Sequence, residues 1–243
     1  MEHIRTGKPG TFFVDGPGGM GKMYLYQALY AEVHLMNKIV LPVATSGIAA
    51  ANIVTGRTTH SRFKIPLDHT VSKACNVSKQ SGLAALLKET SLIIWDESSV
   101  ARKENIESLD LLLRDLCDPN VSFGGIVVVF GGGFRQVLPV VPQKTQNEAV
   151  EASLVSSILW PTFTRFSLTE NMHAREDQPF SEFLLDHGNG SLQTIEIASV
   201  QIPPEIVLPF DPNSNCVDEL VRNVFPEISV GPFLITSSQA GQF

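Results

Sequence analysis

At 243 residues, 43% apolar and 18% charged, with a formal charge of −7, the chain can bury a full core, which excludes a disordered or fibrous protein and a uniformly basic coat for nucleic acid. Residues 1–10 are polar where a secretory signal needs an apolar core, and no apolar run approaches a membrane span, so an intracellular protein with no membrane partner is expected. Cys75, Cys117 and Cys216 are odd in number and form no C-x-x-C pair, which argues against a disulfide framework or a zinc site and leaves free thiols.

In chain order, short apolar runs rich in β-branched or aromatic residues, each ending near glycine or acidic residues, predict buried strands over 11–15, 38–44, 91–96, 126–131 and 165–168. Helical patterns lie between them over 22–35 and 104–116, and in the second Ile106, Leu109, Leu113 and Leu116 share one face. Alternating strands and helices predict an α/β domain: a mostly parallel sheet with helices on both faces and ligands at the C-terminal ends of the strands. After about Gly190 the pattern weakens, and Pro203, Pro204, Pro209, Pro212, Pro226 and Pro232 interrupt it. The expected organisation is one domain over 1–190 and a proline-rich acidic tail over 191–243. Nothing in the sequence specifies an oligomeric state.

The loop Gly16-Pro17-Gly18-Gly19-Met20-Gly21-Lys22 follows the first strand and opens the first predicted helix. In that context a G-x-x-x-x-G-K segment wraps phosphates with backbone N–H groups, here from Gly16, Gly18, Gly19 and Gly21, and its lysine, Lys22, reaches the β- and γ-phosphates. The next position ordinarily supplies a hydroxyl to Mg²⁺; here it is Met23, whose thioether is a poor ligand for a hard cation. The third predicted strand ends in Asp96-Glu97, with Asp96 suited to hold the hydration shell of Mg²⁺ and Glu97 to position and deprotonate a water. Alone, each segment is also the pattern of an ordinary turn; in this order they point to nucleoside triphosphate hydrolysis.

Charge is uneven: residues 1–100 carry a formal +3 and the remainder −10. A nucleic-acid surface therefore belongs in the first part, where Arg57, Arg62, Lys64, Lys73 and Lys79 face only Asp68, although a solvated surface has the same pattern.

With Gly131-Gly132-Gly133-Phe134-Arg135-Gln136-Val137-Leu138-Pro139, the chain resembles the Pif-type DNA helicases of superfamily 1, especially the plant and Helitron-transposon branch. The matching segments, 12–22, 44–50, 56–66, 91–97, 127–142 and 168–174, stand in the family's order. The resemblance implies a RecA-like P-loop domain, the first motor domain of a 5′ to 3′ ATP-dependent helicase. Its cofactors would be ATP and Mg²⁺, and its partners single-stranded DNA or duplex junctions. It also implies a nuclear place and service in repair, recombination or telomere maintenance. Gln136 would sense the γ-phosphate. Thr45, Ser46 and Gly47, with Thr59, His60, Ser61, Arg62 and Phe63, would contact single-stranded DNA; hydroxyls and amides suit phosphates, and flat side chains suit bases. Phe63 reads equally as a core residue, and His60 as a structural hydrogen-bonding group.

The chain departs from the family pattern at Met20 and Met23, in place of hydroxyl residues, at Gly133, in place of Asp, and at His173, in place of an arginine that reaches the γ-phosphate. Loss of such an arginine costs about 10³ to 10⁵ in rate in related enzymes. The chain is expected to begin after the family's adenine-contacting segment and to end before its second motor domain. Impaired turnover follows, and the alternative is a catalytically inactive remnant of a transposon-borne helicase that still binds nucleotide and single-stranded DNA. A small-molecule kinase, the third possibility, is disfavoured by the acidic pair and by residues 132–136 following another strand.

Overall fold

A computed structural model describes the chain apart from residues 68, 70, 71, 73, 142–144, 173–176, 193, 197, 198, 209–214 and 227–243. It falls into two units, Met1–Ser191 and Leu192–Phe243. The first contains α1 (Glu2–Thr6), β1 (Thr11–Asp15), α2 (Lys22–Leu35), β2 (Ile39–Ala44), α3 (Gly47–Ala51), β3 (Arg57–Thr58), α4 (Thr59–Phe63) and α5 (Gly82–Lys88). It continues with β4 (Thr90–Asp96), α6 (Lys103–Leu116), β5 (Val127–Gly132), α7 (Gln146–Glu151), β6 (Thr164–Ser167) and α8 (Gln178–Asn189). The second contains the antiparallel pair β7 (Thr194–Glu196) and β8 (Ser199–Val200), then α9 (Cys216–Val224).

Six strands form a wholly parallel sheet in the order β3-β2-β4-β5-β1-β6. Consecutive strand residues point to opposite faces, so the unbroken apolar run of β4 feeds two cores. Ile93 and Trp95 join Phe13, Val43, Val128 and Phe130 beneath the Ile106, Leu109 and Leu113 face of α6. Leu92 and Ile94 join Val14, Val127 and Val129 beneath Tyr26 and Val33 of α2. The predicted α/β class with helices on both faces therefore holds.

Register decides what meets at the sheet's C-terminal edge: Asp15 lies opposite Gly132, and Ala44 opposite Asp96. The segments leaving β1, β2, β4 and β5 consequently open on one side. The strand over 11–15 has the expected bounds, those expected over 38–44 and 91–96 differ by one residue at their starts, and that expected over 126–131 lies one residue later as β5; the strand expected over 165–168 lies over 164–167 as β6, an edge strand whose four residues are all exposed. Cys75, Cys117 and Cys216 form no disulfide among the described residues.

Candidate functional site

The glycine-rich loop is anchored at its start, where the Gly16 N–H donates to the Gly132 carbonyl at 3.0 Å. Gly19 and Gly21 both adopt φ +83°, a left-handed conformation that favours glycine, and Gly21 caps the N-terminus of α2. The segment after β6 runs along the same loop: the Leu168 N–H donates to Asp15 O at 2.8 Å, and the Met172 N–H to Gly19 O at 2.9 Å. Lys22 is 8% exposed, and its ammonium turns back to donate to the carbonyls of Gly16 and Pro17. Gly18 is exposed. Met20 is buried, whereas Met23 packs against the core beneath α2 and against Ala44, Ala50 and Ile53. Met23 therefore behaves as an apolar residue.

At the end of β4, Asp96 is 5% exposed and accepts a hydrogen bond from the Tyr26 hydroxyl at 3.0 Å. Burial raises the Asp96 carboxyl, opposed by the Tyr26 hydrogen bond, the Glu97 backbone and the Lys22 charge. Burial, then the Asp96 charge, raises Glu97, again against Lys22. The Tyr26 phenol is pushed well up by burial and by Asp96, so it stays protonated and a donor. The Lys22 charge thus acts on both members of the acidic pair.

Glu97 adopts φ +54°, unusual for a residue with a side chain. Thr45 holds this turn: its N–H donates to Asp96 O at 3.1 Å, and its hydroxyl donates to Glu97 O at 2.6 Å. The same hydroxyl accepts from the Trp95 indole at 3.0 Å. The Thr45 side chain, expected on DNA, is thus committed to the acidic turn, because β2 ends beside β4.

The glycines that end β5 and the one just after it are contact positions. A Cβ at Gly131 would lie 1.6 Å from Tyr26 Oη, one at Gly132 2.5 Å from Ser99 Oγ, and one at Gly133 2.9 Å from the Gly16 carbonyl oxygen. Ser98 Oγ donates to Gly131 O at 2.9 Å, and the Gly133 N–H donates to Ser99 Oγ at 3.1 Å. Beyond them, Phe134 stacks on Phe13 at 5.1 Å. Arg135 donates to Asn189 Oδ1 at 2.6 Å and lies 3.6 Å from Asp15 Oδ2. Gln136 is exposed, its N–H bonded to Gly133 O.

The segments expected at single-stranded DNA divide. Ser46 caps α3, accepting from the Ala49 N–H, and Gly47 and Ile48 beside it are exposed. Ser61 is exposed, and Arg62 donates to Thr55 O at 3.4 Å. Burial, then the neighbouring Arg57, lowers Arg62; burial, then His69, lowers His60, so His60 is a mostly neutral imidazole near pH 7. Thr59 and Phe63 are both 0% exposed. Phe63 lies in the core with its ring 6.5 Å from Trp95, so the expectation of a base-stacking face is corrected: four residues apart on α4, Thr59 and Phe63 occupy its inward side. Of the basic residues nearby, Arg57 and Lys64 are exposed, while Lys79 pairs with Asp115 at 2.6 Å. Lys73, Asp68 and His173 lie outside the described residues.

Among the described residues, no group of three or more His, Cys, Asp or Glu side chains could hold a metal. Asp96, a single buried carboxylate at the end of β4, is a residue of the kind that holds Mg²⁺ brought in with phosphates. Sequence reasoning missed Tyr26; the available signal was its spacing of four from Lys22, which puts both on one face of α2.

Residues 1–197 match the family described as PIF1-like helicase. Over 152 residues the chain is 32% identical to the ATP-dependent DNA helicase Pif1 of Psychrobacter sp., an alignment covering 60% of this chain and 22% of that protein. Unliganded Pif1 from Bacteroides sp. superposes with TM-score 0.63 at 26% identity, over 79% of this chain and 45% of that one. Bacteroides Pif1 bound to single-stranded DNA superposes with TM-score 0.61 at 26% identity, over 79% and 46%. The chain thus spans less than half the length of each of these relatives.

Proposed function

Because the chain belongs to the PIF1-like helicase family, we propose that it is the nucleotide-binding motor portion of an ATP-dependent DNA helicase that acts 5′ to 3′ on single-stranded DNA or duplex junctions, with reduced turnover. The observation that carries this reading is that the Lys22 charge acts on both the buried Asp96 and the half-buried Glu97, beside a glycine loop that opens a helix. Backbone N–H groups of Gly16, Gly18, Gly19 and Gly21 cradle the phosphates, and Lys22 exchanges its bonds to the Gly16 and Pro17 carbonyls for phosphate oxygens. Bound with the nucleotide, Mg²⁺ would neutralise charge on the β- and γ-phosphates, held by Asp96. Glu97, made more basic by burial and by Asp96, orients and deprotonates the attacking water. Gln136, on the exposed segment beyond Gly133, reaches for the γ-phosphate.

The nucleic-acid surface is the edge carrying the exposed Ser46, Gly47 and Ser61 and the half-buried His60 and Arg62, with the exposed Arg57 and Lys64 beside it. Support comes from the Bacteroides relative bound to single-stranded DNA. A nuclear role in repair, recombination or telomere maintenance belongs to the same proposal. No helix among the described residues is long and apolar enough to cross a membrane.

One observation favours a second reading, nucleotide and DNA binding without turnover. Met23 is packed among apolar residues, so the loop offers no hydroxyl to the ion at that position. Mg²⁺-dependent ATP hydrolysis, with and without single-stranded DNA, separates the two when the chain is assayed beside a version carrying Met20→Thr, Met23→Thr, Gly133→Asp and His173→Arg. Turnover stimulated by DNA in the unmodified chain supports the helicase motor. Binding of both ligands with no turnover, regained in the substituted version, supports the second reading. Failure of the folded chain to bind ATP at all rejects both.

A further inference from the structure

We propose that Tyr26 is a positioning residue for Asp96, fixing the orientation of the carboxylate that holds the Mg²⁺ of a bound nucleotide; the inference rests on the nucleotide-site reading above. Tyr26 stands one helical turn beyond Lys22 on α2, and the two are 1% and 8% exposed, so one face of one helix presents the phosphate cation and the carboxylate's hydrogen-bond donor. The phenol lies in an apolar cluster with Val14, Val33, Leu92 and Ile94. Phenylalanine would make the same apolar contacts there, and a buried hydroxyl is costly unless it is bonded, so packing alone gives no reason for the oxygen. The bond it makes goes to Asp96 Oδ1, 70 residues away in sequence, at 3.0 Å.

Gly131 gives a second, independent observation. A Cβ there would lie 1.6 Å from Tyr26 Oη and 2.8 Å from Cζ, closer than real Cβ contacts allow. The backbone of β5 is therefore cleared of a side chain where the phenol oxygen passes to reach Asp96. With Oδ1 held, the carboxylate cannot rotate freely, which is how outer hydrogen-bond partners orient metal-bound carboxylates.

The test is binding of a fluorescently labelled ADP to the full chain and to Tyr26→Phe, in EDTA and across a series of Mg²⁺ concentrations. Without Mg²⁺ the two bind alike, because the loop and Lys22 are untouched. The Mg²⁺ concentration giving half of the enhancement rises about tenfold or more in Tyr26→Phe, the usual effect of losing such a partner. Identical Mg²⁺ dependence in the two proteins, with only thermal stability lowered, makes Tyr26 a core residue and overturns the proposal while leaving the nucleotide site standing. If binding to the unmodified chain is indifferent to Mg²⁺, the site reading fails and the proposal falls with it. A measurement on the unsubstituted residue covers the case in which Tyr26→Phe does not fold. With the protein's three tyrosines replaced by 3-fluorotyrosine, the Tyr26 ¹⁹F resonance is assigned with Tyr24→Phe and Tyr30→Phe. It shifts when Mg²⁺ is added to the ADP-loaded chain; an unmoved resonance overturns the proposal.

Discussion

Replacing Gly131 by alanine isolates the Tyr26–Asp96 contact in a stability measurement that needs neither nucleotide nor turnover. The added methyl would sit 1.6 Å from Tyr26 Oη, so the phenol must swing away or β5 must move from β4 and β1. Overpacking of this kind costs about 1 to 3 kcal/mol. Displacing the phenol also strips the 5%-exposed Asp96 of a partner, and a buried polar group left unpaired costs about another 1 to 3 kcal/mol. Gly131→Ala should then lose about 2 to 6 kcal/mol in urea denaturation, with a thermal midpoint lowered by about 2 to 4 °C per kcal/mol at this chain length. The decisive comparison is a double-mutant cycle with Tyr26→Phe. That substitution removes the oxygen and leaves Cζ, at 2.8 Å, as the nearest atom, on a ring that can tilt. Gly131→Ala should therefore cost at least about 1 kcal/mol less in the Tyr26→Phe background than alone. Equal costs in both backgrounds, or a loss below about 0.5 kcal/mol for Gly131→Ala alone, would refute the claim that the phenol passes over this glycine.

Four further outcomes follow from the same geometry. Lys22→Ala should remove most nucleotide affinity in equilibrium titration, whereas Glu97→Gln should spare binding and abolish hydrolysis; equal loss of binding in both rejects the role given to Glu97. Asp96 and Glu97 are both raised, so the folded state binds their protons more tightly than the unfolded chain, and stability declines as pH rises from the ordinary carboxylate range through the raised values. Glu97→Gln should accordingly gain stability relative to the unmodified chain as pH rises above the ordinary carboxylate range in urea titrations, and a difference independent of pH contradicts the assignment. Phe63→Ala should cost about 3 to 5 kcal/mol of stability, as for a fully buried ring. By contrast, Arg57→Ala and Lys64→Ala should leave stability alone and each lower the salt dependence of single-stranded DNA binding by about 0.7 in the log–log slope, which a salt titration reads directly.

The large elements were legible because each satisfies one strong physical demand. A strand buried on both faces must be apolar without alternation, and 91–96 and 126–131 carry that pattern; a helix covering one face must be apolar every three or four residues, as 104–116 is. The short helices α3, α4 and α5 span five to seven residues, too few for periodicity to declare a face. What marks them is a hydroxyl cap: Ser46, Thr58 and Ser81 accept from the N–H groups of Ala49, Ser61 and Ala84. Missing that register in α4 is what left Phe63 undecided between core and surface. In the site, motif order brought out Lys22, Asp96 and Glu97, but the groups that hold them are non-local. Thr45 and Tyr26 meet the acidic turn only because β2 and α2 pack against β4, a pairing that no single segment specifies.

That non-locality also changes how the departures at Met20 and Gly133 combine. Gly133 is not simply a position that lacks a carboxylate. Any side chain there would bring its Cβ within 2.9 Å of the Gly16 carbonyl and 3.3 Å of Pro17 Cα, both backbone atoms of the phosphate loop. Met20, four residues after Gly16 in the same loop, is buried. Aspartate at 133 therefore demands a shift of the loop, and the room for that shift depends on what occupies position 20. Gly133→Asp alone should lower nucleotide affinity, while Gly133→Asp with Met20→Thr should recover at least part of it, a coupling expected of neighbours in contact. If the two substitutions act additively on nucleotide affinity, the loop accommodates position 133 without help from position 20, and the close packing described for Gly133 carries no weight in the site.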